Sequence, residues 1–443
     1  MAEKRLTLGE IWSYRSVERK AFFWCLLTLS FGYLAFFLGG GAERRSDWLS
    51  LAPLGVFAGS LILVHLTFIL GRFQGDPGIT IPVVFLGGLG LLAQFRMGLF
   101  DFEHPERLSH FAYPIGIIMM LLIATLLKRE RYRWLLHLSW ICGLGALGIV
   151  AALLATGSRF RGALYASGNM TPTEFIKVFV VVFLAGQLAA ICQTGKKKKK
   201  NAPSDFRALI PISLFFGVLF PLLLWQRDLG MIAILGGLGV VMVFASTGKW
   251  IYVLGAIGLA GVGAIGAYEF FLHSQKRFQV WLDPFFDPTG ASWQLLQGLS
   301  GMFSGGLWGA GFGAGNPERI PIAASDFIYA VIGEELGYAG CIIVILLFLA
   351  FFNRSYRVAK VTSDPFGALL IIGLTTTIAL QTFLNIGGVT KSVPLTGIPL
   401  PFISHGGSSL ITMFICLGLI LSIADSTQPQ IERASAKKKR KQT

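Results

Sequence analysis

The chain has 443 residues, of which 54% are hydrophobic and only 14% charged, with a formal net charge of +15 and a mean hydropathy of +0.66. Soluble domains carry about 25% charged residues, so much of the solvent around this chain is lipid. The basic excess excludes nucleic acid as its meaning. Its densest runs, Lys196–Lys200 and Lys437–Lys441, flank long apolar stretches and read as membrane-topology signals with an affinity for anionic lipid headgroups.

A helix that crosses a bilayer needs roughly 20 apolar residues. In chain order, such segments run over 21–38, 51–70, 79–95, 108–127, 135–155, 172–192, 207–225, 229–247, 250–271, 326–352, 363–386 and 405–424. The first is as long as a span and lacks a small-residue cleavage site, so it is read as a span and not a cleavable signal. Twelve spans put both termini on one side. With the N-terminus inside, 25 Lys and Arg fall on inside segments and 11 on outside ones, which predicts cytoplasmic termini. The expectation is an all-α polytopic membrane protein with about twelve transmembrane helices. The five cysteines lie in or beside the apolar segments with no CxxC pair and read as small core residues, not disulfides or metal ligands.

Between spans nine and ten lies a long outside loop, 272–325, rich in aromatic and apolar residues. Loops of that length in compact proteins are functional or disordered, and this composition argues against disorder. Eight glycines fall between Gly298 and Gly315. They suit either a phosphate cradle or a re-entrant segment packed against helices.

Ionisable groups in spans are expensive and are functional candidates by default. Glu174 and Lys177 are three apart on one helix face and can pair, either as structural support or as a substrate contact. Asp228 opens span eight and suits the helix dipole. Asp326 opens span ten, where it could equally cap the helix, and Glu334 and Glu335 lie two turns deeper. Arg159, Arg161, Arg277, Arg319 and Lys391 are outside basic residues able to neutralise an anionic substrate. Together these residues suit a substrate that is both lipidic and anionic, such as a polyprenyl-diphosphate sugar.

Four motifs carry a resemblance. Thr171-Pro-Thr-Glu-Phe-Ile-Lys177 is similar to Gln-Pro-Ser-Glu-x-x-Lys, and Gln226-Arg-Asp-Leu-Gly230 to Gln-Pro-Asp-Leu-Gly. Ser325-Asp-Phe-Ile-Tyr-Ala330 with Glu334-Glu-Leu-Gly337 is similar to Thr-Asp-Phe-Ile-Phe-Ala with Glu-Glu-Leu-Gly. Gly397-Ile-Pro-Leu-Pro-Phe-Ile-Ser-His-Gly-Gly-Ser-Ser409 is close to a closing signature. These are motifs of the SEDS (shape, elongation, division and sporulation) family, which includes RodA, FtsW and SpoVE, and the resemblance covers residues 140–425.

The resemblance implies a peptidoglycan glycosyltransferase that polymerises lipid II and releases undecaprenyl diphosphate, in elongation, division or sporulation. It makes Asp326 the catalytic acid and Glu174–Lys177 its supporting pair. Candidates for substrate binding are Arg277 first, then Arg159, Lys391, Asp228, Glu334, Glu335, Ser404, His405 and Ser408. It further implies a class B penicillin-binding protein as transpeptidase partner and the bacterial cytoplasmic membrane as location. A divalent cation, Mg2+ or Mn2+, is held only if substrate phosphates complete its shell, since no ligand cluster is visible.

Several positions depart from the family pattern. Arg227 stands for proline, Thr171 for glutamine, Ala324 for histidine and His405 for tyrosine, and the tryptophan expected after Gly157-Ser-Arg-Phe-Arg161 is missing. The family has ten spans, so the organisation expected is a cytoplasmic segment 1–20, an added N-terminal transmembrane pair 21–78, a core 79–425 with re-entrant or half-helix elements in loop 272–325, and a basic cytoplasmic tail 426–443. The competing functions are a lipid II flippase, for which glycine-rich broken helices are also suited, and a non-catalytic scaffold.

Overall fold

In lipid the backbone satisfies its own polar groups, and long apolar runs do so as helices. The computed structural model describes residues 6–39, 51–98, 111–160, 163–165, 171–196, 205–270 and 272–442. Each of the twelve expected spans falls on a helix. The first are α2 (Ser16–Gly39), α3 (Ala52–Leu70), α4 (Pro77–Arg96) and α5 (Ala112–Leu126), then the one-turn α6 (Trp134–His137), α7 (Ser139–Thr156) and α8 (Thr173–Lys196). After them come α9 (Asp205–Gln226), α10 (Leu229–Thr247), α11 (Trp250–Phe270), α14 (Ile328–Val361), α15 (Pro365–Val389) and α16 (Gly407–Gln442). A short α1 (Leu8–Tyr14) precedes them, closed by a Thr7–Glu10 capping box. An antiparallel hairpin, β1 (Ser158–Phe160) with β2 (Ala163–Tyr165), interrupts an otherwise helical chain.

Nine helices among the described residues are long and apolar enough to span a membrane, or ten if α5 and the turn to His137, bent by 95°, count as one. That is fewer than the twelve expected. The apolar run of α11 covers only Trp250–Gly263, and α5 is 15 residues long. Helices α4, α8, α15 and α16 form the buried middle, with α5 against α16, α7 against α8, and α14 against both α4 and α15.

The loop 272–325 is ordered. It holds α12 (Leu272–Leu282) and α13 (Trp293–Gly305), then the glycine run. The largest departure from expectation is in span ten. Gly337 has φ 67° and ψ −170°, so α14 is two helices, a half-helix Ile328–Leu336 and a long piece from Tyr338 to Val361. Hydropathy is continuous across the break because Gly337 changes backbone direction and not polarity. α13 lies against the half-helix so closely that a Cβ on Gly305 would stand 2.1 Å from the Gly333 carbonyl oxygen.

The N-terminal pair is joined to the bundle by apolar packing and one buried polar cluster. Leu29 of α2 and Phe57 of α3 both press on Gly88 of α4. The Arg15 guanidinium pairs with Glu18, sits 4.4 Å over Phe68 and 5.2 Å over Phe73, and donates to the carbonyls of Phe73 and Gly75. Glu18 also meets His65 Nδ1 at 3.0 Å. The Gln74 N–H then donates to Asp425 at 2.6 Å, tying this corner to α16.

Candidate functional site

The half-helix starts without a side-chain cap, and its cap position is Phe327. Asp326 stands one residue before that cap position. The half-buried Asp326 Oδ1 accepts from Ser325 Oγ at 2.9 Å. Its Oδ2 faces Gly397, where a Cβ would stand 3.6 Å away. Gly397 has φ +72°, a conformation that favours glycine, so the chain passes the carboxylate with no side chain in the way.

A loop from Leu400 to His405 is stitched to the acid's own segment. Ser404 Oγ donates to the Ser325 carbonyl at 2.6 Å and accepts from the Leu400 N–H at 2.7 Å, while the His405 N–H donates to the Ala324 carbonyl at 2.8 Å. Ser404 is thus committed to backbone. His405 Nδ1 lies 3.2 Å from Gln94 Oε1 of α4, whose Nε2 donates to the Ile403 carbonyl. Because that carbonyl requires the nitrogen of the amide, Gln94 presents oxygen to the ring and Nδ1 carries the proton. Ser408 accepts from the Thr171 N–H at 3.1 Å and bonds the Thr171 hydroxyl, so it joins α16 to the start of α8.

Behind the acid, Lys177 is fully buried. Its Nζ donates to Glu174 at 2.7 Å and to Gln381 Oε1 at 2.6 Å, the ion pair expected from the three-residue spacing. Arg277 of α12 donates to the carbonyls of Leu395 and Thr396, both at 3.1 Å, which places it on the loop segment that carries Gly397. Lys391 gives its carbonyl to Trp281 Nε1 at 3.1 Å. Asp228, in the α9–α10 turn, caps α10 through the Met231 N–H at 2.9 Å. Burial and the Glu174 charge push its carboxyl above the ordinary value, against the pull of that N–H and the charges of Lys177 and Arg277.

Glu334 and Glu335 are engaged elsewhere. Glu334 accepts from the Asn316 N–H at 2.9 Å and Glu335 from the Gly313 N–H at 3.1 Å. The buried Arg96 of α4 meets Glu335 at 3.0 Å and donates to the Gly315 carbonyl at 2.8 Å. Across the break, the N–H groups of Ala310 and Gly311 donate to the carbonyls of Glu334 and Glu335, and those of Tyr338 and Ala339 to Gly306 and Leu307. The glycine run is a clasp on the half-helix, so the packed segment is present, and Glu334 and Glu335 close that clasp.

The Arg159 side chain, Arg161, residues 197–200 of the first lysine run and the side chains of the second lie outside the described residues. Gln94, Arg96, Gln381 and Asn385 were not expected. Arg96 follows the end of span 79–95 and resembles a loop charge, while the three amides, polar side chains inside apolar segments, give a signal weaker than a charge or a motif. Among the described residues no group of three or more His, Cys, Asp or Glu is placed to hold a metal.

The arrangement offers a partly exposed carboxylate facing a glycine, with Arg277 held on the segment that carries that glycine and Lys177 buried and joined to it through Gln381. It can take a proton from a bound hydroxyl and neutralise an anion.

Residues 79–429 match the family model for FtsW, RodA and SpoVE, described as "Cell cycle protein". The chain is 34% identical over 366 residues to the peptidoglycan glycosyltransferase RodA of Mycobacterium tuberculosis, covering 79% of this chain and 78% of that one. It is 35% identical over 262 residues to the stage V sporulation protein E of Bacillus subtilis, covering 58% of this chain and 69% of that one. A solved chain described under "Structural coordination of polymerization and crosslinking by a peptidoglycan synthase complex" has the same fold. It superposes with a TM-score of 0.62 at 24% identity, over 79% of this chain and 98% of that one.

Proposed function

The chain belongs to the FtsW, RodA and SpoVE family of cell-cycle proteins, and from that premise we propose that it is a peptidoglycan glycosyltransferase that polymerises lipid II with Asp326 as general base. The observation that carries this is the placement of Asp326, ahead of the half-helix and facing a glycine. The acceptor sugar hydroxyl attacks the anomeric carbon of a second lipid-linked sugar. Its oxygen–carbon bond forms as the bond from that carbon to the diphosphate breaks. The hydroxyl proton passes to the Asp326 carboxylate, and the electron pair leaves on undecaprenyl diphosphate. Arg277 is the cation assigned to the growing diphosphate charge, since its guanidinium already lies on the segment that faces Asp326.

The single carboxylate of Asp326 does not make a dedicated cation site, and no step is routed through a metal. A divalent ion, Mg2+ or Mn2+, would be held largely by the substrate's phosphates. The proposal includes the bacterial cytoplasmic membrane with both termini cytoplasmic, a core over 79–425 preceded by an added helix pair, and a class B penicillin-binding protein as the transpeptidase that uses the glycan.

The test is lipid II polymerisation by purified protein with its transpeptidase partner, wild type beside Asp326→Ala. Glycan from the wild type alone is expected. Glycan from neither, with both proteins folded, overturns the enzyme and favours a flippase or a scaffold. Equal glycan from both keeps the enzyme and discards Asp326.

A further inference from the structure

Two amides on α15 join the buried ion pair to the acid. Gln381 and Asn385 are four residues apart, so they share one helix face, and both are buried. Gln381 uses each end of its amide. Oε1 accepts from Lys177 Nζ at 2.6 Å, while Nε2 donates to the Pro399 carbonyl at 2.9 Å and to Ser409 Oγ at 3.1 Å. A lysine only donates, so the oxygen must face Lys177 and the nitrogen must face the carbonyl. Asn385 Nδ2 donates to the Ile398 carbonyl at 2.7 Å and to the main-chain carbonyl of Asp326 at 2.9 Å. Its Oδ1 has no hydrogen-bond partner among the described residues, so only the donor half of this amide is used.

The two side chains therefore hold consecutive carbonyls, 398 and 399, of the loop segment that passes through Gly397. Asn385 also holds residue 326 itself. A continuous path runs from Glu174 through Lys177 and Gln381 to that segment, and through Asn385 to the acid-bearing loop. Neither charge nor the four motifs of the sequence mark the two amides.

We propose that Gln381 and Asn385 are positioning residues, which transmit the placement of the Glu174–Lys177 pair to Asp326 and to the segment it faces. The proposal rests on the polymerase function above. A displacement of about 1 Å at a reacting group costs on the order of 100-fold in rate, so the effect belongs to turnover and not to substrate affinity.

The test is steady-state lipid II polymerisation by the full-length chain with its partner, comparing wild type, Asn385→Leu and Gln381→Glu. Gln381→Glu keeps an acceptor for Lys177 but loses the donor to Pro399, so it guards against a variant that simply fails to fold. The expected result is a fall in kcat of about 10- to 100-fold for each variant. KM for lipid II and the thermal midpoint stay close to wild type. Combining Gln381→Glu with Asn385→Leu is expected to cost little more than the worse single change, because both side chains act on the placement of the same segment. Unchanged kcat overturns the proposal, as does a loss in which kcat, KM and thermal midpoint all move in step. A wild type without activity removes the polymerase and the positioning role together, whereas active wild type and active variants remove the positioning role alone.

Discussion

Asp326 stands one residue before the cap position of the half-helix, with one carboxylate oxygen on Ser325 and the other facing Gly397. Replacing it by asparagine preserves shape and removes the base. Asp326→Asn is expected to slow polymerisation by about 10²- to 10⁴-fold while the thermal midpoint stays put, which turnover and melting on one preparation would check. Lys177 behaves differently, since it is buried with a charge and needs its partner. Glu174→Ala is expected to cost about 3–5 kcal/mol by leaving that ammonium uncompensated, and adding Lys177→Met should restore much of the stability. Chemical denaturation of the two variants would reveal the recovery or its absence. Asp228 gives a pH signature. Its carboxyl binds a proton more tightly folded than unfolded, so ionising it opposes folding. The penalty is absent below the ordinary value of 3.8, grows as pH rises toward the folded value, and persists at neutral pH. Asp228→Asn keeps an oxygen for the Met231 N–H and is expected to melt higher than wild type at pH 7, with the gain vanishing below pH 3.8; a constant gain at every pH would refute this. At this scale the acids and the ion pair were legible because charges inside apolar runs are conspicuous and sit in motifs. Gln381 and Asn385 were not, because an amide lowers hydropathy only slightly and its meaning depends on which carbonyls the fold brings to it.

Glycines divide the elements into two mechanical kinds. Gly309 has φ +88°, and a Cβ there would stand 2.1 Å from the Glu335 carbonyl oxygen, so side chain and backbone both forbid substitution. By contrast, Gly258 of α11 has nothing within 4 Å. Gly309→Ala is expected to open the clasp and abolish the folded site, whereas Gly258→Ala should be neutral or stabilise α11 by about 1 kcal/mol. Melting both variants in one detergent is the check, and equal effects would show that the clasp does not hold the half-helix. Elements were readable to the extent that lipid dictates them, since an apolar run in a membrane has few options besides a helix. The division of span ten at Gly337 was hidden, because the break needs one glycine torsion and a neighbouring segment to accept the freed hydrogen bonds. The glycine run looked open to phosphate for the same reason. Its partners, Glu334 and Glu335, lie some twenty residues away in sequence and come within reach only through the fold.

Among the described residues, the buried polar centre around Arg15, Glu18 and His65 shares no residue with the one around Lys177 and Asp326. Centres without common partners act independently. Glu18→Ala is therefore expected to destabilise by about 3–5 kcal/mol, through the buried Arg15 guanidinium, without changing turnover per folded molecule. A matched fall in specific turnover would mean that the N-terminal pair reaches the site. The pair itself was visible as surplus spans, but its attachment through Arg15 was not, because Arg15 precedes the first apolar run and looks there like one more topology charge. The break at Gly337 has a further consequence at this scale. Helices adjust their tilt to the thickness of the surrounding hydrocarbon, and an unbroken α14 would carry Asp326 along with every adjustment. With a joint at Gly337 and the outer piece clasped to α4 and α13, turnover is expected to vary little with bilayer thickness, and a steep dependence in vesicles of graded acyl-chain length would refute this.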